Sequence, residues 1–174
     1  IYEKGLGSDH PKVATVLQNL ADMYLAQDRY AEAGPFYRQA ITIYENAFGP
    51  EHPSVVAALN SLGGLFQDQG KYSEALPVFE RALRIEEKTL GQDHPDIATS
   101  LNNLATLNFY LGANEMAESL YIRSLEIYEN AYGKEHPFVA TVLVNMVEFY
   151  EKTGRRGEAG IFAERLKQIQ SRYQ

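Results

Sequence analysis

The dipeptide His-Pro occurs four times, at His10-Pro11, His52-Pro53, His94-Pro95 and His136-Pro137, and the spacing is 42 residues each time. Gly7, Gly49, Gly91 and Gly133 stand three residues ahead of each histidine. Leu17, Leu59, Leu101 and Leu143 keep the same register, as do Ala33, Ala75, Ala117 and Ala159. Chance does not align four columns in this way. A fixed period on the order of 20–50 residues marks an array of stacked supersecondary units, each covering the apolar face of its neighbour.

Each period reads as two helices. The first starts at His-Pro, because proline suits the first helical position and pushes the residue before it out of the α region. The histidine therefore falls in the N-cap slot. Val13, Val16, Leu17, Leu20, Ala21 and Tyr24 follow the three- and four-residue steps of a helix face. This helix stops near Gln27-Asp28, and its counterparts stop near Gly70, Gly112 and Gly154, where glycine can take a left-handed cap. The second helix spans about Tyr30 to Phe48, and Gly49 ends it. No segment alternates with period two, so no strand is predicted.

The expected organisation is one array over residues 1–174. Repeats occupy 10–51, 52–93 and 94–135, and a fourth with a capping helix occupies 136–174. Ile1-Tyr2-Glu3-Lys4 matches Ile43-Tyr44-Glu45-Asn46, so residues 1–9 read as the end of an earlier second helix plus its loop, and the chain as a fragment of a longer array. In the last repeat the small column Ala40, Ala82, Ser124 becomes Leu166, and the apolar column Ile41, Leu83, Leu125 becomes Lys167. A polar outer face is what a terminal repeat needs, so the array is expected to end near residue 174.

Charge narrows the partners. The 16 Lys+Arg against 23 Asp+Glu give a net charge of −7, whereas nucleic acid and anionic membranes call for a basic footprint. No stretch nears the roughly 18 uncharged apolar residues of a bilayer span. The absence of cysteine removes disulfides, thiolate metal sites and cysteine nucleophiles together, and fits a reducing, cytoplasmic compartment.

The columns Leu17, Leu20, Ala21, Tyr24, Ala33, Tyr37 and Ala40 resemble the tetratricopeptide repeat. Repeat 2 gives Leu59, Leu62, Gly63, Phe66, Ala75, Phe79 and Ala82, and repeat 3 departs with Asn108 at the first aromatic column. Gly-x-x-His-Pro, the Leu-Asn-Asn-Leu-Ala run Leu101 to Ala105 and the Tyr-x-Glu-Ala run Tyr72 to Ala75 resemble the kinesin light chain type in particular. The resemblance covers the whole chain. It implies an all-α, right-handed superhelical solenoid of about four stacked antiparallel helix pairs. The first helices would line a concave groove that takes a peptide or partner segment, with no cofactor.

Polar columns of the first helices are then the groove candidates. One holds Gln18, Asn60, Asn102 and Val144, and the next holds Asn19, Ser61, Asn103 and Asn145. Asparagine is a mediocre residue inside a helix, and its amide offers a donor and an acceptor to a peptide main chain of any sequence. In kinesin light chain-type repeats such residues grip the ligand main chain, which implies that role for Asn19, Asn60, Asn102, Asn103 and Asn145. The alternative is that one amide column bonds between neighbouring helices and fixes their stacking. Further columns add Asp22, Gly64, Thr106 and Glu148, then Leu25, Gln67, Phe109 and Glu151, then Ala26, Asp68, Tyr110 and Lys152. Four acids face one base there, so the expected partner is a neutral or basic peptide, with an apolar side chain resting on Phe109 and Tyr110. Those two rings could equally pack within the array, replacing the aromatic lost at Asn108.

Chemistry is not expected. One histidine per repeat spaces the four by roughly 10 Å, the distance between packed helices, far beyond the reach of a shared metal ion at about 2 Å per ligand. Gly63-Gly64 sits inside a helix, where small size allows close packing, and makes no phosphate loop. Two other functions compete with the peptide scaffold. One is self-association through a poorly covered first-repeat face of Val13, Val16 and Leu20. The other is a sensor arm within a larger multidomain protein.

Overall fold

The computed structural model describes residues 7–173. These form eight α-helices and no strand: α1 (Pro11–Leu25), α2 (Tyr30–Phe48), α3 (Pro53–Asp68), α4 (Tyr72–Leu90), α5 (Pro95–Tyr110), α6 (Asn114–Tyr132), α7 (Pro137–Lys152) and α8 (Arg156–Gln170). The reading of Ile1 to Lys4 as the end of an earlier helix falls outside the described residues. The chain divides into two compact units, Ile1–Leu90 and Gly91–Gln174, each with two helix pairs. The division falls three residues short of the repeat boundary at 93.

Local chemistry sets the helix ends. His10, His52, His94 and His136 are the N-caps of α1, α3, α5 and α7, all in extended backbone, with proline at the first helical position. In each, Nδ1 accepts the N–H two residues on, at 3.1, 3.2, 3.2 and 3.3 Å. Each bond satisfies one of the amides that a helix start leaves without a partner. At the other end Asp28, Gly70, Gly112 and Gly154 hold φ of 57, 70, 81 and 81°. The next amide then reaches back around the turn, as Ala113 N–H does to Asn108 O at 2.8 Å, which closes a Schellman-type cap. Asp28 makes this turn without glycine.

Unit 1 is built by α1 on α2, α2 on α3 and α3 on α4, and unit 2 by the same sequence of contacts through α5, α6, α7 and α8. Ala33, Ala75 and Ala117 are fully buried, so small residues in the second helices let each partner helix come close. Ser124, also fully buried, donates to Ala98 O at 2.7 Å and so satisfies its hydroxyl. Asn108 is satisfied within its own helix, by Leu104 O at 2.8 Å. Gly63 meets the packing expectation: a Cβ there would lie 2.6 Å from the Phe79 ring. Gly64 does not, because a Cβ there would meet nothing within 4 Å. One face of α3 is pressed on α4, and Gly64 lies a residue off it.

The first-repeat face needs one correction. Val13 is buried and is not part of an uncovered patch. Val16 is 44% exposed, while Ala58, Ser100 and Val142 in its column are buried. Met23 is 61% exposed, while Leu65, Leu107 and Phe149 are buried. Leu20 is half-buried between them. At the far end α8 buries only Ala159 and Ile169, in keeping with its polar columns.

Candidate functional site

In unit 2 the first helices α5 and α7 run side by side. Steps of three and four residues put Asn103, Thr106 and Tyr110 on one line along α5, and Asn145, Glu148 and Lys152 on the matching line of α7. The two adjacent amides of α5 behave differently. Asn102 is 6% exposed, and its Oδ1 accepts from Asn145 Nδ2 at 3.1 Å. Asn103 is half-buried and makes no side-chain hydrogen bond to another described residue. Thr106 Oγ1 donates to Asn102 O at 3.1 Å and accepts from Tyr121 OH at 2.9 Å.

The two aromatics separate as well. Phe109 is half-buried and meets Phe149 edge-on at 5.5 Å, so it packs within the unit. Tyr110 is 45% exposed at the end of α5. Lys152 Nζ lies 5.9 Å from the Phe109 ring and 5.7 Å from the Tyr110 ring, and donates to Glu148 at 2.6 Å. Cation–π contact and ion pair together occupy this lysine. Lys152 was legible only as an odd basic member of the Tyr110 column, yet it organises that end of the face.

In unit 1 the same face belongs to α1 and α3. Gln18 Nε2 donates to Ser61 Oγ at 3.3 Å, the counterpart of the Asn145–Asn102 bond. Asn19 is exposed, and Asn60 and Gln67 are half-buried. Asn60 Oδ1 is buried and has no partner among the described residues. Asp22 accepts from Tyr37 OH at 2.5 Å, so its carboxylate is tied to α2.

This hydroxyl pairing follows the repeat. Where a second helix carries tyrosine, as at Tyr37 and Tyr121, the first helix supplies Asp22 or Thr106 fifteen residues earlier. Where the column holds Phe79 or Ala163, the partners are Gly64 and Glu148. Burial pushes the Tyr121 phenol up to about 12, and Tyr37 is also raised, by burial first and then by the Asp22 carboxylate. Both stay protonated at neutral pH. Of the four acids expected on the face, Asp22 and Glu148 are therefore held by internal partners. Glu151 lies instead beside Arg156 and Ala159, against α8.

Among the described residues no group of three or more His, Cys, Asp or Glu could hold a metal ion, and no helix is long and apolar enough to cross a membrane. The tetratricopeptide repeat family model matches residues 1–46, 13–88, 56–121 and 96–171. Two solved structures of nearly identical TPR-like repeats, designated kinesin light chain and from Podosopora anserina, superpose closely. The first, a single-residue variant, has a TM-score of 0.86 at 27% identity, covering 99% of this chain and 81% of its own. The second has a TM-score of 0.84 at 28% identity, covering 99% and 82%. BtubC (BKLC) from P. vanneervenii shares the fold, with a TM-score of 0.84 at 22% identity over 94% of this chain and 66% of its own. No curated protein sequence gives a significant match.

Proposed function

We propose that this chain, which belongs to the tetratricopeptide repeat family, is a scaffold that binds a peptide or partner segment on the face of its first helices. Such repeats typically serve protein–protein interaction, and we assign this chain no catalytic role. The observation that carries the reading is the contrast between adjacent amides. Asn102 is spent between helices, while Asn103 keeps donor and acceptor for a ligand main chain. Asn145 keeps Oδ1 as an acceptor. Neighbouring first helices lie roughly 10 Å apart, and an extended peptide advances about 3.3 Å per residue. Asn103 and Asn145 would thus meet main-chain groups about three residues apart along the peptide.

Tyr110 supplies an apolar platform beside these amides. Lys152 is engaged by Glu148 and two rings, which leaves no clamp for a carboxylate on this face. The ligand class it fits is a neutral or basic segment with one apolar side chain. A peptide-library selection, run in parallel on the Asn103→Ala variant, tests this. A consensus motif that vanishes with the variant supports the reading, and an unchanged motif refutes it.

A second reading has its own support. Val16, Leu20 and Met23 expose an apolar stripe whose counterparts in the other three repeats are mostly covered. Self-association of two copies through this stripe would cover it. Light scattering across a concentration series should then show a dimer that Met23→Glu abolishes. A wild-type monomer throughout would rule it out.

A further inference from the structure

The two units can be compared position by position, since residues 84 apart occupy the same place in the double repeat. In unit 2, Glu118 at the start of α6 is the hub of a small network. Arg155 Nη1 donates to its Oε2 at 2.6 Å and Tyr150 OH to its Oε1 at 2.8 Å. Arg155 also lies 4.6 Å over the Tyr150 ring and donates from Nε to Glu158 at 2.8 Å. One guanidinium thus takes two carboxylates above an aromatic ring.

Unit 1 has the same frame without its hub. Phe66 stands for Tyr150, Lys71 for Arg155 and Glu74 for Glu158, but Glu118 is replaced by Gly34. A Cβ at Gly34 would meet nothing within 4 Å. The space it would enter is a cleft of about 730 Å³ between α2 and the turn joining α3 to α4. Lys71 and Arg38 line it together with Asp28, Glu32 and Glu74, and the Arg38 guanidinium lies 5.4 Å from the Phe66 ring. Neither cation pairs with a carboxylate among the described residues, whereas Arg29 in the same cleft is already bound to Glu32 at 2.9 Å. The position where unit 2 places an internal carboxylate is open in unit 1 and faces two uncommitted cations.

We propose that this cleft, bounded by Gly34, Arg38, Phe66 and Lys71, is a docking site for a glutamate or aspartate side chain of an acidic partner segment, which supplies from outside the carboxylate that Glu118 supplies in unit 2. The internal precedent of Glu118 selects a carboxylate, received by the two cations that have no ion partner among the described residues, while Glu32 is held by Arg29 and Asp28 accepts from Tyr30 OH at 3.0 Å. The Phe66 ring under Arg38 selects a side chain with a short apolar stem over a bare ion. The site lies at the helix turns, away from the face of α1 and α3, so its ligand differs from the neutral or basic segment proposed above. With a net charge of −7 on the whole chain, attraction is local and should weaken with salt.

The test uses fluorescein-labelled acetyl-Glu-Glu-Glu-Glu amide and its four-glutamine counterpart, read by anisotropy at low ionic strength. The acidic probe should bind at least tenfold more tightly than the neutral one. Gly34→Glu places the chain's own carboxylate in the cleft and should reduce binding of the acidic probe at least tenfold without lowering the melting temperature. Arg38→Gln with Lys71→Gln should reduce it as far. Equal binding of the two probes, or acidic-probe binding that survives in Gly34→Glu, overturns the proposal. So does competition by inorganic phosphate as effective as that by unlabelled acidic peptide.

Discussion

Asn145 donates to Asn102 across 43 positions of sequence, and Gln18 donates to Ser61 across the same 43 in unit 1. Each bond joins a residue of one polar column to a residue of the next, and Asn103 takes no part in either staple. Asn102→Ala should cost about 1–2 kcal/mol, because it leaves the half-buried Asn145 amide without its acceptor. Asn103→Ala should leave stability within about 0.5 kcal/mol, as a substitution that breaks no internal bond. Urea denaturation of both variants checks the pair. Equal losses would mean that Asn103 also holds the helices together.

The adjacent glycines of α3 should part company in the same way. Gly63→Ala drives a Cβ into the Phe79 ring, and overpacking of this kind costs about 1–3 kcal/mol. Gly64→Ala enters open space and should gain up to about 1 kcal/mol of helix propensity. Thermal melts should move in opposite directions.

Gly112 holds φ of 81° between α5 and α6. Gly112→Ala must pay the left-handed penalty of about 1–2 kcal/mol. Loss of the Ala113-to-Asn108 backbone bond at the same turn would add to it. Calorimetry should record a lower melting temperature.

Acid should weaken unit 2 through Glu118. The Arg155 guanidinium beside it holds its carboxyl below the usual carboxylate range, and Glu158 is lowered by the same arginine. A carboxyl depressed in the folded state contributes stability that is fully present above its unfolded value of about 4.3 and is lost as pH falls through the folded one. Stability should therefore decline below about pH 4.3, and Glu118→Gln should flatten that decline. Denaturation curves from pH 6 to pH 3 give the comparison, and an unchanged slope would remove Glu118 from the account.

Signals confined to a few neighbouring residues were legible. His-Pro located all four N-caps, and glycine located three of the four turns that follow the first helices, because capping and left-handed backbone depend on local geometry alone. The pairings that cross between helices were not. Whether Asn102 or Asn103 would be the staple depends on the rotation of α5 relative to α7, which period alone does not set. Asp22 looked like a groove acid until Tyr37 claimed it from α2. Glu118 and Arg155, 37 residues apart, carried no mark of their pairing. The signal that could have found these pairs is correlated change between columns, as where Asp22 and Thr106 accompany tyrosine and Gly64 accompanies Phe79.

Binding of a peptide by the first-helix face should run through Asn103. Calorimetric titration of the peptide enriched on the wild type, into wild type, Asn102→Ala and Asn103→Ala, tests it most directly. Asn103→Ala should lose about tenfold in affinity, the equivalent of about 1.4 kcal/mol, with its melting temperature unchanged. Asn102→Ala should lose stability first, and affinity only as far as the shift of Asn145 allows. Undiminished affinity in Asn103→Ala would contradict the account.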